Sequence, residues 1–214
     1  MNNGFFITFE GGEGAGKSIQ VEILASHLHE EGYKVKVTRE PGGTRIGEQI
    51  RAITPTPENV DLEATTEAYL MAAARAQHVE QVIYPSLEAG HIVVSDRYVD
   101  SSIAYQGYGR KLGAETIAKL NDLAVNGAIP DLTILLTIPF EKGIKRRIKS
   151  LKPKDRLDLQ QKEFYQRVCD GYIVLAKQNP KRYVIIDATR PIETVGREIW
   201  HVVRNALKAR KEKK

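Results

Sequence analysis

Residues 11–18 read GGEGAGKS and follow directly on the apolar run FFITFE at 5–10. Four of the eight are glycine, so the backbone can fold its N–H groups inward around a compact anion. A helical pattern over 16–31 comes next, and its N-terminus offers a favourable dipole to the same anion. The spacing G-x-x-x-x-G-K-[ST], set between a strand and a helix, is a phosphate-binding loop. Lys17 is expected at the β- and γ-phosphates of a nucleoside triphosphate, and Ser18 on Mg²⁺. The whole loop, Gly11, Gly12, Glu13, Gly14, Ala15, Gly16, Lys17 and Ser18, is expected to line that ligand.

Working outward, the strand-then-helix pattern recurs. Short apolar runs stand at 5–10, 34–38, 91–95, 131–138 and 182–187, and helical patterns cover 16–31, 66–89, 114–127 and 159–178. Gly32 and Gly90 follow two of these helices, where a left-handed residue closes the last turn. The apolar runs show little alternation, as strands buried on both faces do. The sequence therefore predicts an α/β P-loop NTPase fold, with a five-stranded parallel sheet and helices on both faces. Ligands in such folds bind at the carboxyl ends of the strands. The polar residues ending each run are Glu10, Thr38 to Glu40, Ser95 to Arg97, and Asp187.

The 214 residues suit one domain, 1–214, and 42% apolar with 28% charged residues is ordinary for a globular chain. No run of about 18 apolar residues indicates a membrane span. The N-terminus lacks the features of a secretory signal. The single cysteine, Cys169, excludes an internal disulfide. A cytoplasmic protein is expected. The net charge of +5 gathers partly in the tail KARKEKK at 208–214, which reads as a solvated helix end. The other dense basic run is KRRIKSLKPKDRLD at 145–158. No nucleic-acid partner is expected from either.

A phosphate loop alone does not name a reaction. The second strand ends in TREPGGT at 38–44, with Arg51 on a short helix after it. The helix before the third strand carries AYLMAAARAQ at 68–77, and that strand ends in SDRY at 95–98, followed by VDSSIAYQG. Arg51, Arg75 and Arg97 thus lie on three segments leading to the strand ends. Guanidinium forks suit phosphate oxygens, and two anions held together need such neutralisation.

In this order, from phosphate loop to closing helix, the motifs resemble the thymidylate kinase family over nearly the whole chain. The resemblance implies transfer of the γ-phosphoryl group of ATP to dTMP, giving dTDP and ADP, with Mg²⁺. It places ATP on residues 11–18 and makes Lys17 and Arg97 catalytic. Around dTMP it places Glu13 at the sugar 3′-hydroxyl, the turn at Pro41, and Arg51, Arg75 and Arg97 at the acceptor phosphate. Ser102 and Gln106 follow at the base edge, and Tyr105 excludes a 2′-hydroxyl, unless that ring is simply core. Met71 stands where the family often has a phenylalanine stacked on the base. Asp96 joins Ser18 at the metal through water, the alternatives being a helix cap or an arginine partner. Glu10 is a further aid to metal-bound water. The basic run becomes a short lid at about 145–158, in which Arg147 and Arg156 are the expected catalytic cations and Pro153 and Lys154 depart from the family pattern. A homodimer is also expected. The alternative activity is a P-loop kinase for another nucleoside monophosphate or for a deoxynucleoside. A GTPase is disfavoured, because no N-K-x-D guanine motif is present.

Overall fold

β1 (Phe5–Glu10) is buried along its whole length and stands at the centre of the sheet. The structure is a computed structural model describing residues 4–149 and 155–212. The other strands are β2 (Val35–Arg39), β3 (Ile92–Asp96), β4 (Leu132–Thr137) and β5 (Tyr183–Asp187). Their order is β2-β3-β1-β4-β5, and every pairing is parallel. The helices are α1 (Lys17–Glu30), α2 (Arg45–Ile53), α3 (Ala64–His78), α4 (Tyr84–Glu88), α5 (Val99–Ser102), α6 (Ala114–Val125), α7 (Phe140–Lys149), α8 (Lys162–Gln178) and α9 (Ile192–Glu212).

The unbroken apolar run of β1 follows from its two covered faces. Phe5, Ile7 and Phe9 pack with Val21, Leu24 and Leu28 of α1 and with Val195, Ile199 and Val203 of α9. Phe6 points the other way, into a cluster with Val79, Ile83, Leu87 and Tyr98. Beside it, Leu135 of β4 packs with Tyr105, Phe164, Val168 and Tyr172. Each such side chain contributes about 1.5–3 kcal/mol on burial. With β3 on one side of β1 and β4 on the other, the chain after β1 emerges at the switch point of the sheet, where such folds bind ligands.

Two departures from the sequence reading have local causes. The helix expected over 66–89 spans α3 to α4 but widens into a π-helical turn at Val79–Ile83. Pro85, in the first turn of α4, has no N–H to return to the carbonyl four residues back, and the wider turn accommodates it. The start of the basic run is helical, forming the end of α7. Lys152, Pro153 and Lys154 of the expected lid, and the last two tail residues, lie outside the described residues. Among the described residues, no helix is long and apolar enough to cross a membrane.

Candidate active site

The loop after β1 ends in Gly16, which caps α1 at φ 87° and supplies no side-chain hydrogen bond. The first N–H groups of α1 are thus left to a ligand. Gly14 has φ 69°, and a Cβ there would run into the carbonyl of Gly143 on α7. A Cβ on Gly143 would in turn meet the carbonyl of Glu13. Two glycines therefore let α7 rest directly on the phosphate loop. Behind the loop, a cavity of about 270 Å³ is bounded by Gly11, Gly12, Thr137, Cys169 and Asp187.

Lys17 is buried, and its Nζ donates to the carbonyls of Gly11 at 2.9 Å and Gly12 at 3.0 Å. Burial lowers its pKa, Arg97 pushes the same way, and Glu13, Asp96 and Glu10 resist, leaving it at about 8. Ser18 Oγ donates to Asp96 Oδ2 at 2.6 Å. These two hard oxygens meet where β3 and α1 converge. Among the described residues, no group of three or more His, Cys, Asp or Glu side chains could hold a metal ion. A hydroxyl and one carboxylate nevertheless suit Mg²⁺, which takes few protein ligands beside phosphate oxygens.

Arg97 joins the loop to the acceptor side. Its backbone adopts φ 72°, a left-handed conformation that costs a residue with a side chain about 1–3 kcal/mol. It is held there by its N–H donating to Phe9 O at 2.9 Å and by Ser95 Oγ donating to its carbonyl at 2.7 Å. The guanidinium donates to Glu13 Oε1 at 2.6 Å, to Gly11 O at 3.2 Å and to Tyr105 Oη at 3.2 Å, and it lies 4.9 Å from the Tyr105 ring centre. Tyr105 also donates to Glu13 at 2.9 Å. Burial raises the Glu13 pKa, but Arg97, Lys17, the Tyr105 hydroxyl and Arg147 outweigh it and hold it at about 2. Glu10 differs. Burial first, and Asp100 second, push it to about 7 against the pull of Ser101, Arg97 and the Tyr98 N–H. It accepts from Tyr98 N at 2.8 Å, Ser101 Oγ at 2.6 Å and Tyr172 Oη at 3.0 Å.

On the acceptor side, the Glu40–Pro41 peptide is cis, and Arg51 Nη1 donates to Pro41 O at 2.8 Å. Met71 sits half-buried on α3, four residues before Arg75. Ser102, Tyr105 and Gln106 are buried nearby in sequence. Two of the expected site arginines are buried. Arg75 is buried, with Nε and Nη2 each donating to Glu40 at 2.8 Å and Nη1 to Asn121. Arg156 is buried as well, donating to Thr54 O at 3.1 Å, Leu62 O at 3.1 Å and Glu67. Each guanidinium is thus anchored by protein groups through Nε and both terminal nitrogens. Arg147 donates to Asp158 at 2.9 Å and Asp155 at 3.4 Å, within electrostatic reach of Glu13.

Glu40 stands among the strand-end residues of the sequence reading, but that reading missed the other groups that hold these side chains: Glu67, His78, Ser101, Asn121, Gly143 and Tyr172. His78 bonds Glu40 Oε1 at 2.9 Å and Thr38 Oγ1 at 2.6 Å, bracing the turn at Pro41. A signal for part of this set was available. Glu67, Met71, Arg75 and His78 recur at helical spacing in an alanine-rich stretch and so share one face.

The profile of the thymidylate kinase family matches residues 9–199. A thymidylate kinase of Geotalea uraniireducens is 48% identical over 195 residues, covering 89% of this chain and 92% of its own. One of Bacillus pumilus is 43% identical over 207 residues, covering 96% and 98%. The crystal structure of thymidylate kinase from Ehrlichia chaffeensis superposes with a TM-score of 0.77 at 35% identity, covering 94% of this chain and 98% of that one. With its phosphate loop, parallel sheet and central arginine, this chain belongs to the thymidylate kinase family and is a nucleoside monophosphate kinase built on the P-loop fold.

Proposed function

We propose that the chain transfers the γ-phosphoryl group of ATP to dTMP, giving dTDP and ADP, where the phosphate loop meets Arg97. The observation that carries this is the Glu13–Arg97 pair at 2.6 Å, which puts an acid of the donor loop against the arginine that ends β3. Residues 11–18 hold the triphosphate, with Lys17 at its β- and γ-oxygens. Mg²⁺, held by Ser18 and through water by Asp96, would neutralise charge on the bridged phosphates. Arg97 and Arg51 hold the acceptor phosphate, itself the nucleophile, so no protein base is needed. Glu13, permanently ionised, accepts from the sugar 3′-hydroxyl, and Tyr105 beside it leaves no room for a 2′-hydroxyl. Met71 covers the base, Ser102 and Gln106 read its edge, and the turn at Pro41 lines the sugar-phosphate. In the lid at 145–158, Arg147 reaches the transferring group. Arg75 and Arg156 act through their partners, Glu40 and Glu67.

The reaction is assigned to a single domain in the cytoplasm. A homodimer fits the exposed Tyr69 and Leu123 on α3 and α6, which pack against each other. Sedimentation at micromolar concentration checks that state. The activity is tested by ADP release from ATP with dTMP, dUMP, dCMP, AMP, GMP and thymidine. Turnover of another acceptor at least as fast as dTMP would sink the assignment. Arg97→Ala is expected to lower kcat by about a hundredfold or more while changing ATP affinity far less. An unchanged kcat would remove Arg97 from the mechanism.

A further inference from the structure

Glu67 lies on α3, four residues before Met71, and is almost wholly buried. So far it has entered only as the partner of Arg156. A buried carboxylate is costly unless its oxygens are paired. Glu67 is paired with donors from two distant segments. Gln106 Nε2 donates to Oε1 at 2.6 Å and Arg110 Nη2 to Oε2 at 3.1 Å. Arg156, from the end of the lid, donates to Oε2 as well. The same arginine donates to the carbonyls of Thr54 and Leu62, in the segment joining α2 to α3.

The chemistry of the carboxylate fixes more than the packing. An ionised carboxylate only accepts hydrogen bonds. The amide nitrogen of Gln106 must therefore face Glu67, and the carbonyl oxygen is the end left to a ligand. A carbonyl accepts from the N3–H of a thymine ring. It meets only a lone pair at N3 of a cytosine ring. Had the amide been free to turn, its nitrogen could have served cytosine equally well.

We propose that Glu67 is a positioning residue that sets base selectivity and ties it to the lid: one carboxylate orients Gln106 and anchors Arg156. This rests on Gln106 standing at the base edge. Selectivity then depends on a group that never touches the nucleotide. It also depends on Arg156, a lid residue remote in sequence from the base pocket.

The test measures kcat and KM for dTMP and dCMP, KM for ATP, and Tm. The charge-balanced double variant Glu67→Met, Arg156→Met removes both members of the buried pair. The ratio of kcat/KM for dTMP over dCMP is expected to fall about tenfold or more, with KM for ATP within about threefold of wild type. A variant of wild-type Tm whose ratio is unchanged would overturn the proposal, as would equal losses for both nucleotides. Should the double variant not fold, Arg156→Lys carries the test. It keeps the charge but cannot span Glu67, Thr54 and Leu62 together. A ratio lowered about threefold or more supports the coupling, and an unaltered ratio overturns it. Wild-type protein that turns over dCMP as well as dTMP would remove the base-site reading, and the proposal with it.

Discussion

Lys17 makes ATP binding depend on pH. Burial, with Arg97 pushing the same way, lowers its pKa from 10.5 to about 8 in the unliganded chain. A bound triphosphate reverses that balance by placing negative charge against the ammonium. ATP affinity is therefore highest below pH 8, where Lys17 is already protonated. Above it, each binding event must first take up a proton, so affinity falls about tenfold per pH unit, or about 1.4 kcal/mol. Stability of the unliganded protein runs the opposite way. Between the folded pKa of about 8 and the ordinary 10.5, the unfolded chain holds more protons, so this group's contribution to stability rises with pH. Calorimetric titration of ATP at fixed Mg²⁺ from about pH 7.5 to 9.5 reads the first trend. ATP itself has finished ionising at the lower limit. Lys17→Met should bind weakly and without this slope. An affinity that stays flat to the top of the range would show that Lys17 is not poised as described.

Gly143→Ala places a methyl group against the Glu13 carbonyl. It is expected to cost about 1–3 kcal/mol of stability and to raise KM for ATP, read by denaturant unfolding and steady-state kinetics. Glu40→Gln removes the charge facing Arg75, where both side chains are only 3% exposed. Stability should drop by about 3–5 kcal/mol, and a shift in denaturation midpoint worth less than about 1 kcal/mol would count against a charged pair at this place.

The middle of the sheet was legible because β1, β3 and β4 are apolar and buried almost throughout, and Gly32 and Gly90 mark the ends of two helices. The phosphate loop was legible because phosphate binding demands glycine and lysine at fixed spacing, and Ser18 and Asp96 do meet at 2.6 Å. What stayed hidden was pairing across the chain. Nothing local to Arg156 says that its counter-charge is Glu67, eighty-nine residues earlier. Burial of Arg75 was equally hidden, since an arginine among alanines looks the same whether it faces a phosphate or a carboxylate. Gly143 carries no motif, and only the packing of α7 on the loop shows why a side chain is excluded there. The π-helical turn at Val79–Ile83 had a visible cause in Pro85, but sequence periodicity does not say whether a helix stops or widens there.

Burial also sorts the site arginines into two kinds. Four of the five are matched to an acid, and Arg51 donates to the Pro41 carbonyl instead. The matches are not equivalent. Arg97 and Arg147 retain 17% and 12% side-chain exposure in their pairs with Glu13 and Asp158. A phosphate arriving through solvent can compete for their N–H groups, and the displaced carboxylate is still near water. Arg75 and Arg156, at 3% and 6%, face acids that would be left charged and dry if the arginine turned away, at a cost of several kcal/mol. Burial therefore holds Arg75 and Arg156 in their pairs more firmly than Arg97 and Arg147.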